Sequence, residues 1–325
     1  MKPQIVLAGL VVTVGLCLAV LAKEPSRIAV LGSGSEDAPY SVNVMTWLRS
    51  GLRAVGLVEG QDFILDARWA KGEYHRFPAL AAELIAKHPA AVVVSTIAAA
   101  EAAREASKAV PIVMTGLNDP VGAGLAASLA RPGGNITGMA TMNEEVIRKL
   151  VGLLPSVLPK TKYITAMVNP TNPSNPVIMA IIKAETARLG FVVDTVEVAV
   201  PAALDKAFEE LRRYHPDVLL VVPDNSLVAL SEQIVSRAIA EHVPTVATSQ
   251  QMSLAGAIFT YGFPAQEMVE RTGSYLKKIL AGVSPADLPI EQPTKFHLVV
   301  NLKMARTLGI EIPAAVLLQA DEVTE

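Results

Sequence analysis

Short apolar runs alternate with amphipathic segments along the chain from residue 27 onward. The apolar runs are rich in Val and Ile, which is typical of strands buried on both faces of a parallel sheet. The intervening segments repeat apolar positions every three or four residues, which predicts helices and therefore an α/β fold. We predict strands at residues 27–31, 63–67, 91–95, 112–115, 163–168, 192–198, 218–222 and 245–247. We predict helices at residues 42–55, 77–87, 98–108, 144–154, 177–189, 204–214 and 227–241.

The same order of elements occurs twice. Each half has a helix ending at a His-Pro pair, an apolar strand, a polar loop, a second helix and a Val-Pro pair before the next strand. The His-Pro pairs are His88-Pro89 and His215-Pro216. One long parallel sheet would also look repetitive, but two Rossmann-like lobes with parallel sheets explain the pattern better.

Two lobes would place a ligand between the carboxyl ends of their strands, as in other open α/β sheets. We predict one lobe from residues 27–139 plus 255–287 and the other from residues 140–254 plus 288–325. Three interlobe crossovers, predicted at residues 138–143, 251–256 and 285–293, would act as a hinge for opening and closing.

The first residues have the pattern of an export signal. Lys2 precedes an uncharged apolar run over residues 5–22, and the run ends in Val20-Leu21-Ala22. This pattern predicts a signal peptide at residues 1–22, cleaved near Ala22, and a periplasmic protein. An uncleaved membrane anchor is the alternative. The only cysteine, Cys17, follows bulky Leu16, which disfavours lipid attachment.

The charge and the motifs of the chain exclude several functions. Its net charge is −3 and no basic block stands out, so we predict no nucleic-acid partner and expect a monomer. No phosphate loop, glycine fingerprint, nucleophile elbow or pair of metal-spaced ligands is present, which predicts no enzyme activity and no cofactor. His88, His215 and His242 all follow helices at the edge opposite the cleft, so we assign them a structural role.

The loops at the carboxyl ends of the predicted strands are rich in short polar residues that precede helices. Such residues suit helix capping, but exposed N–H groups at helix starts also bind anionic or acceptor groups. Several such loops meeting at one cleft favour a binding site. Two tyrosines would add a flat apolar wall there, unless they simply pack under loops. The candidate ligand-binding residues are Ser33, Tyr40, Ser95, Thr96, Ile97, Asp119, Asn169, Thr171, Asp224, Asn225, Ser226, Ser249, Gln250 and Tyr261.

Five stretches resemble one protein family, the ABC-transporter substrate-binding proteins related to tryptophan- and tyrosine-binding lipoproteins. The most specific is PIVMTGLNDPVGAGLAASLARPGGNITG, which is similar to the family's PIV…DPVxxGLVxSLxxPGGNxTG block. The resemblance extends from about residue 27 to 321. The other stretches are LRAVGLVEGQDFILDARWAKGEYHRFPALAAEL, VNPTNPSNP, GAIFTYG and ILAGVSPADLPIEQPTKFHLVVNLKMARTLGIEIP.

The resemblance implies a type I periplasmic-binding-protein architecture and delivery of a small ligand to an ABC permease in the inner membrane. By analogy, ligand contacts would fall on Thr96 and its neighbours, Asp119, Asn169 and Asp224. The aromatic-amino-acid branch has a Pro-Thr-Asp-Asn-Thr segment, whereas this chain has Pro223-Asp224-Asn225-Ser226. That departure leaves the partner of an ammonium group open, so an amino acid and an aromatic or carboxylate metabolite both remain candidates. A periplasmic ligand sensor and a hydrolytic or nucleotide-dependent enzyme are the alternative functions.

Overall fold

The computed structural model describes residues 24–325 and contains two β-sheets. The predicted signal peptide and Cys17 lie outside these residues. The first sheet has five parallel strands in the order β2-β1-β3-β4-β5. Its strands are β1 (Ser26–Gly32), β2 (Phe63–Trp69), β3 (Ala91–Val94), β4 (Ile112–Asn118) and β5 (Ile136–Thr141). The helices between these strands are α1 (Pro39–Ala54), α2 (Phe77–Ile85) and α3 (Ile97–Ala106).

The second sheet has seven strands in the order β12-β11-β10-β9-β8-β6-β7. Only β10 and β11 pair antiparallel, so the sheet is mostly but not wholly parallel as predicted. Its strands are β6 (Tyr163–Val168), β7 (Val192–Glu197), β8 (Val218–Val221), β9 (Thr245–Ala247), β10 (Phe259–Gly262), β11 (His297–Asn301) and β12 (Glu322–Thr324). The remaining helices are α4 (Asn143–Val157), α5 (Asn175–Leu189), α6 (Leu204–Tyr214), α7 (Asn225–Ala229), α8 (Ser231–Ala240), α9 (Gln250–Ala255), α10 (Ala265–Leu280), α11 (Leu302–Thr307) and α12 (Ala314–Leu317).

Helices cover both faces of each sheet, as the apolar strands predict. In β3, Val92 and Val94 contribute to one core cluster, whereas Ala91 and Val93 contribute to another on the opposite face. The odd and even residues of β8 divide between two clusters of the second lobe in the same way. Because each central strand is buried on both sides, its sequence is a continuous apolar run rather than an alternation.

The chain passes between the lobes three times. It first crosses between β5 and α4, within the predicted segment 138–143. The second prediction, residues 251–256, is wrong, because α9 occupies that segment and the following strand β10 pairs with β9 in the second sheet. The chain crosses only after Gly262, and α10 then packs on α1. Residues 259–262, which were predicted in the first lobe, therefore belong to the second sheet, and residues 140–141, which were predicted in the second lobe, belong to β5.

The third crossover overlaps only the end of the predicted segment, residues 285–293. Leu288 and Ile290 still pack in the cores of the first lobe, and Glu291 bridges to Met139 beside β5. The chain enters the second sheet at β11, so the crossing lies between residues 291 and 297.

Two glycines allow α1 and α10 to touch. A Cβ atom on Gly51 would lie 2.2 Å from the carbonyl oxygen of Glu270, and one on Gly273 would lie 2.4 Å from the backbone of Gly51. Both glycines are buried. The contact between the helices is therefore backbone against backbone, which only glycine permits at this spacing.

The three histidines that follow helices adopt the left-handed backbone conformation. The φ angles of His88, His215 and His242 are 51°, 47° and 58°. The N–H of His215 donates to the carbonyl of Leu211 and closes the last turn of α6. These positions agree with the structural role assigned from the sequence.

A partly buried ion cluster joins β1, β2 and the end of α2. The Asp66 carboxylate pairs with Arg68 at 2.7 Å, Arg27 at 2.9 Å and Lys87 at 3.0 Å. Burial acts to raise the pKa of Asp66, but Lys87 and Arg68 outweigh it and hold the pKa below its usual value. Asp66 therefore stabilises the folded state only in its charged form.

We expect Asp66→Asn to lower the free energy of unfolding by about 1–2 kcal/mol at pH 7. Because the folded pKa is depressed, the carboxylate's contribution is present above pH ~4 and is lost as the pH falls through the folded pKa. Urea unfolding at pH 7 and pH 3 should show a wild-type advantage that shrinks in acid. Asp205→Asn is the control, because that exposed carboxylate pairs only with Arg237 and should change stability little. An equal loss at both pH values would contradict this account.

Candidate functional site

A cavity of about 100 Å³ with both polar and apolar wall residues lies between the carboxyl ends of the two sheets. The first lobe contributes residues from α1 and from the ends of β3, β4 and β5, and the second lobe contributes the loops after β6, β8, β9 and β10. The residues around the cavity are Tyr40, Val44, Ser95, Thr96, Ile97, Thr115, Gly116, Asn118, Thr141, Asn143, Asn172, Ser174, Pro223, Asp224, Asn225, Val228, Thr248, Ser249, Gln250, Phe263, Ala265 and Val269. Both lobes therefore contribute to a single site.

Three of the polar wall residues also cap helices. The Thr96 hydroxyl accepts a hydrogen bond from the N–H of Ala99 at the start of α3, and Ser249 accepts one from Gln251 in α9. Asp224 caps α7. Capping and wall formation coincide, because a short polar side chain after a strand satisfies the first N–H groups of the next helix.

Asp224 is the centre of a buried hydrogen-bond network. It is 5% exposed, and its carboxylate accepts hydrogen bonds from six protein donors. Five lie within the second lobe: the N–H groups of Ser226 and Leu227 at 2.9 and 3.1 Å, the Ser226 hydroxyl, Asn172 Nδ2 at 2.8 Å and Asn169 Nδ2 at 3.3 Å.

The sixth donor to Asp224 comes from the other lobe. The Tyr74 hydroxyl donates to Asp224 Oδ2 at 2.9 Å. Burial, followed by the charge of Asp224, raises the pKa of Tyr74 well above its usual value, so the phenol stays protonated and donates. A second interlobe bond runs from Asn225 Nδ2 to the carbonyl of Ser95 at 3.0 Å. These bonds hold the two lobes together in this structure.

A second hydrogen-bond network lies at the first crossover between the lobes. Asn118 Nδ2 donates to Glu144 Oε1 at 3.0 Å, and Asn118 Oδ1 accepts from the Thr141 hydroxyl at 3.1 Å. The N–H of Asn143 approaches the same oxygen at 3.4 Å. Asn118 therefore links the end of β4 to the end of β5 and the start of α4, next to the cavity.

The aromatic side of the cavity includes Tyr40 and Phe263. Desolvation raises the pKa of Tyr40 to about 12. Its hydroxyl is therefore neutral at physiological pH and can donate a hydrogen bond. The Tyr40 ring also meets Trp47 edge-on, with 6.2 Å between the ring centroids.

The structure brings most of the predicted ligand-binding residues to this cavity or directly behind it. Those in the wall are Tyr40, Ser95, Thr96, Ile97, Asp224, Asn225, Ser249 and Gln250. Asn169 and Ser226 are buried behind the wall and hold Asp224, and Thr171 donates to Asn169. Ser33 is also buried and lines a smaller neighbouring cavity.

Two predicted residues lie elsewhere. Asp119 is exposed, and its Oδ1 accepts a hydrogen bond from the N–H of Gly122, so it stabilises the turn after β4. Its neighbour Asn118 occupies the wall instead, because β4 continues through Asn118. Tyr261 does not reach the wall, because its ring stacks on Phe296 at 6.1 Å. The structure therefore does not place these two side chains at the cavity.

Several wall residues were not among the candidates. Thr115, Asn118, Asn172 and Thr248 belong to the polar loops identified in the sequence, so the signal was present but the individual residues were not selected. Thr141 is the last residue of β5 and Asn143 lies two residues beyond it; the Thr and Gly residues of this strand do not form the apolar pattern by which strands were predicted. Phe263 follows the short strand β10, which was also not predicted.

The described residues 24–325 contain no group of three or more His, Cys, Asp or Glu side chains suited to a metal ion. Within the same range, the helices are too short or too polar to cross a bilayer.

Two α/β lobes with a cavity between the carboxyl ends of their strands define a periplasmic-binding-protein-like receptor for a small molecule. Residues 28–324 match the family described as ABC transporter substrate binding protein, and the chain belongs to that family. The predicted family and fold class are thereby confirmed.

Related proteins agree with this assignment. A tyrosine-binding protein of Clostridioides difficile (strain R20291) is 25% identical over 257 residues, which cover 79% of this chain and 73% of the relative. The structure of an ABC domain from Streptococcus pneumonia in complex with L-Trp is 25% identical, with a TM-score of 0.83 over 92% of this chain and 100% of the other. A conserved domain protein from Vibrio cholerae is 27% identical, with a TM-score of 0.85 over 93% of this chain and 100% of the other.

Proposed function

We propose that this protein is the extracytoplasmic solute-binding component of an ABC importer, which closes two lobes on a small ligand and delivers it to a permease in the inner membrane. The observation that carries the proposal is the cavity at the carboxyl ends of both sheets, which is walled by residues of both lobes. We further propose that it acts as a periplasmic monomer without catalytic activity, after removal of the predicted signal peptide.

The proposed mechanism is a shift between open and closed states. A ligand that contacts Thr96 and Ser249 at once touches both lobes only when they are closed. It therefore stabilises the closed state by its difference in affinity for the two states. The permease would then recognise the closed surface, so that occupied and empty proteins are distinguished.

The cavity wall also supports a ligand of mixed polarity. Hydroxyl and amide groups such as those of Thr115 and Asn143 can orient polar atoms, while Tyr40, Val44 and Phe263 can cover an apolar part. This is the usual composition of a small-molecule site. We propose an amino acid or an aromatic or carboxylate metabolite as the ligand class, in line with the amino acids bound by the two relatives.

The test is a thermal-shift screen of the refolded protein against amino acids and aromatic carboxylic acids. A true ligand at ten times its dissociation constant should stabilise the protein by about 1.4 kcal/mol, which is a visible shift. Refolding before the screen removes any ligand carried through purification. The matched control is Ser249→Trp, whose large side chain should fill the cavity and abolish the thermal shift. No shift with either class of compound would contradict the proposed ligand class.

A further inference from the structure

The cavity wall carries almost no charge. Of the described residues around it, Asp224 is the only one with a charged side chain; the others are aliphatic, aromatic, hydroxyl or amide. The carboxylate of Glu144 lies behind Asn118, outside the wall, and accepts the Asn118 amide. A ligand ammonium group would therefore have to find its counter-charge at Asp224.

Asp224 has no free acceptor position to offer. A carboxylate has about four lone-pair positions, and six protein donors already converge on this one. Two of them, the N–H groups of Ser226 and Leu227, are held by the start of α7 and cannot move away. An ammonium group would have to displace the hydroxyl of Tyr74 or the amide of Asn172, which would leave a buried donor without a partner.

The backbone around the cavity adds partial positive charge. Helix α3 begins at the wall with Ile97, has ten residues and carries no acidic residue in its first turn. Helices α4 and α10 also begin at the wall, but their first turns hold Glu144, Glu145 and Glu267, which offset the positive ends of those two helices. The N-terminus of a helix carries about half a positive charge from its unpaired N–H groups. The start of α3 therefore disfavours a cation beside Ile97, and Asp224 has no free acceptor position to hold one.

We propose that the ligand of this cavity is an acid or a neutral molecule without an ammonium group, and not a zwitterionic amino acid. This inference rests on the proposed function, because it assigns the charge class of the solute that is carried. The proposed ligand class also differs from the amino acids that are named for the relatives of this chain. Asp224 holds the lobes closed by accepting hydrogen bonds from protein groups. The ligand then contacts only neutral groups and helix starts.

Isothermal titration calorimetry of the refolded full chain tests this with matched compounds. The indole series is L-tryptophan, indole-3-propionate and tryptamine; the phenol series is L-tyrosine, 3-(4-hydroxyphenyl)propionate and tyramine; the aliphatic series is L-leucine, 4-methylpentanoate and isoamylamine. In any series that binds, we expect the deaminated acid to bind at least about tenfold more tightly than the amino acid, and the amine not to bind. Tighter binding of the amino acid than of its deaminated acid would overturn the inference while leaving the proposed function intact.

Asn225→Asp provides a second test within the same cavity. It places a carboxylate in the wall without removing any of the six donors to Asp224. We expect it to reverse the preference in favour of the amino acid by about tenfold or more. The variant also loses the hydrogen bond from Asn225 to Ser95, which weakens closure of the lobes equally for every compound of a series. The ratio of the affinities for the acid and the amino acid therefore measures only the effect of the added charge.

Gln61→Glu is the control, because it adds the same charge at an exposed position before β2, at the edge of the sheet opposite this cavity, and should leave the ratio of the two affinities unchanged. An unchanged ratio in Asn225→Asp would also overturn the inference. If neither the wild type nor Asn225→Asp bound any compound of the three series, the ligand class given under the proposed function would fail and this inference with it.

Discussion

Gly273→Ala is expected to lower the free energy of unfolding by about 2–3 kcal/mol, although alanine favours helices over glycine. The added Cβ would lie 2.4 Å from backbone atoms of Gly51, and no side-chain rotation can relieve a clash between backbones. Helices α1 and α10 would have to separate, which opens the core that Met268 and Leu276 form with the first sheet. Overpacking of this kind costs about 1–3 kcal/mol and occasionally more, which exceeds the gain in helix propensity of about 1 kcal/mol.

Gly152→Ala is the matched control for that experiment. Gly152 also lies inside a long helix, α4, but a Cβ there would meet no atom within 4 Å. Only the propensity gain remains, so this variant should become more stable by about 0.5–1 kcal/mol. Chemical denaturation of both variants measures the two opposite signs. Two changes of the same sign would show that the contact between α1 and α10 is looser than described.

Tyr74→Phe is expected to shift the protein toward its open state. The substitution removes the hydrogen bond that reaches Asp224 across the lobes and keeps the ring that packs against Phe77. Hydrogen bonds to charged groups contribute about 1.5–3 kcal/mol, so the ratio of closed to open molecules should fall roughly ten- to a hundredfold. Ligand affinity should fall in parallel, even though Tyr74 is not part of the cavity wall, because a binding-competent state that is less populated lowers the apparent affinity.

The change can be followed by the distance between spin labels on one exposed residue of each lobe. Val42→Cys and Leu254→Cys serve for this in a Cys17→Ser background, because Val42 is 49% exposed and Leu254 is 73% exposed. Tyr275→Phe is the control: it removes a hydrogen bond of similar length to the carbonyl of Pro289, where the chain still packs against the first lobe. It should lower stability without lengthening the interlobe distance. A distance distribution unchanged by Tyr74→Phe would show that this bond does not hold the lobes closed.

The sequence predicted the fold well where a strand is buried on both faces. The runs at β3 and β8 contain only aliphatic residues, so their positions could be found without knowledge of their neighbours. Strands β5 and β10 were missed because Thr and Gly interrupt their apolar runs. The second crossover was placed too early because β10 was not predicted.

The site was predictable only as a set of loops. Polar residues after strands identified Thr96, Asn225 and Ser249 correctly as wall residues. The interlobe bond of Tyr74 was not foreseeable, because 150 residues separate it from its partner Asp224. The choice between Asn118 and Asp119 depends on where β4 ends, and a difference of one residue turns a side chain to the opposite side of the sheet.

The late position of α10 and β10–β12 in the chain has a consequence for biogenesis. The helix that completes the core of the first lobe begins at residue 265, and the edge strand of the second sheet ends only at residue 324. A polypeptide emerging from the ribosome with its amino terminus first lacks parts of both cores until residues 259–324 have been synthesised. Such a nascent chain stays unfolded for longer than one built from consecutive local units, which suits passage through a narrow protein-conducting channel.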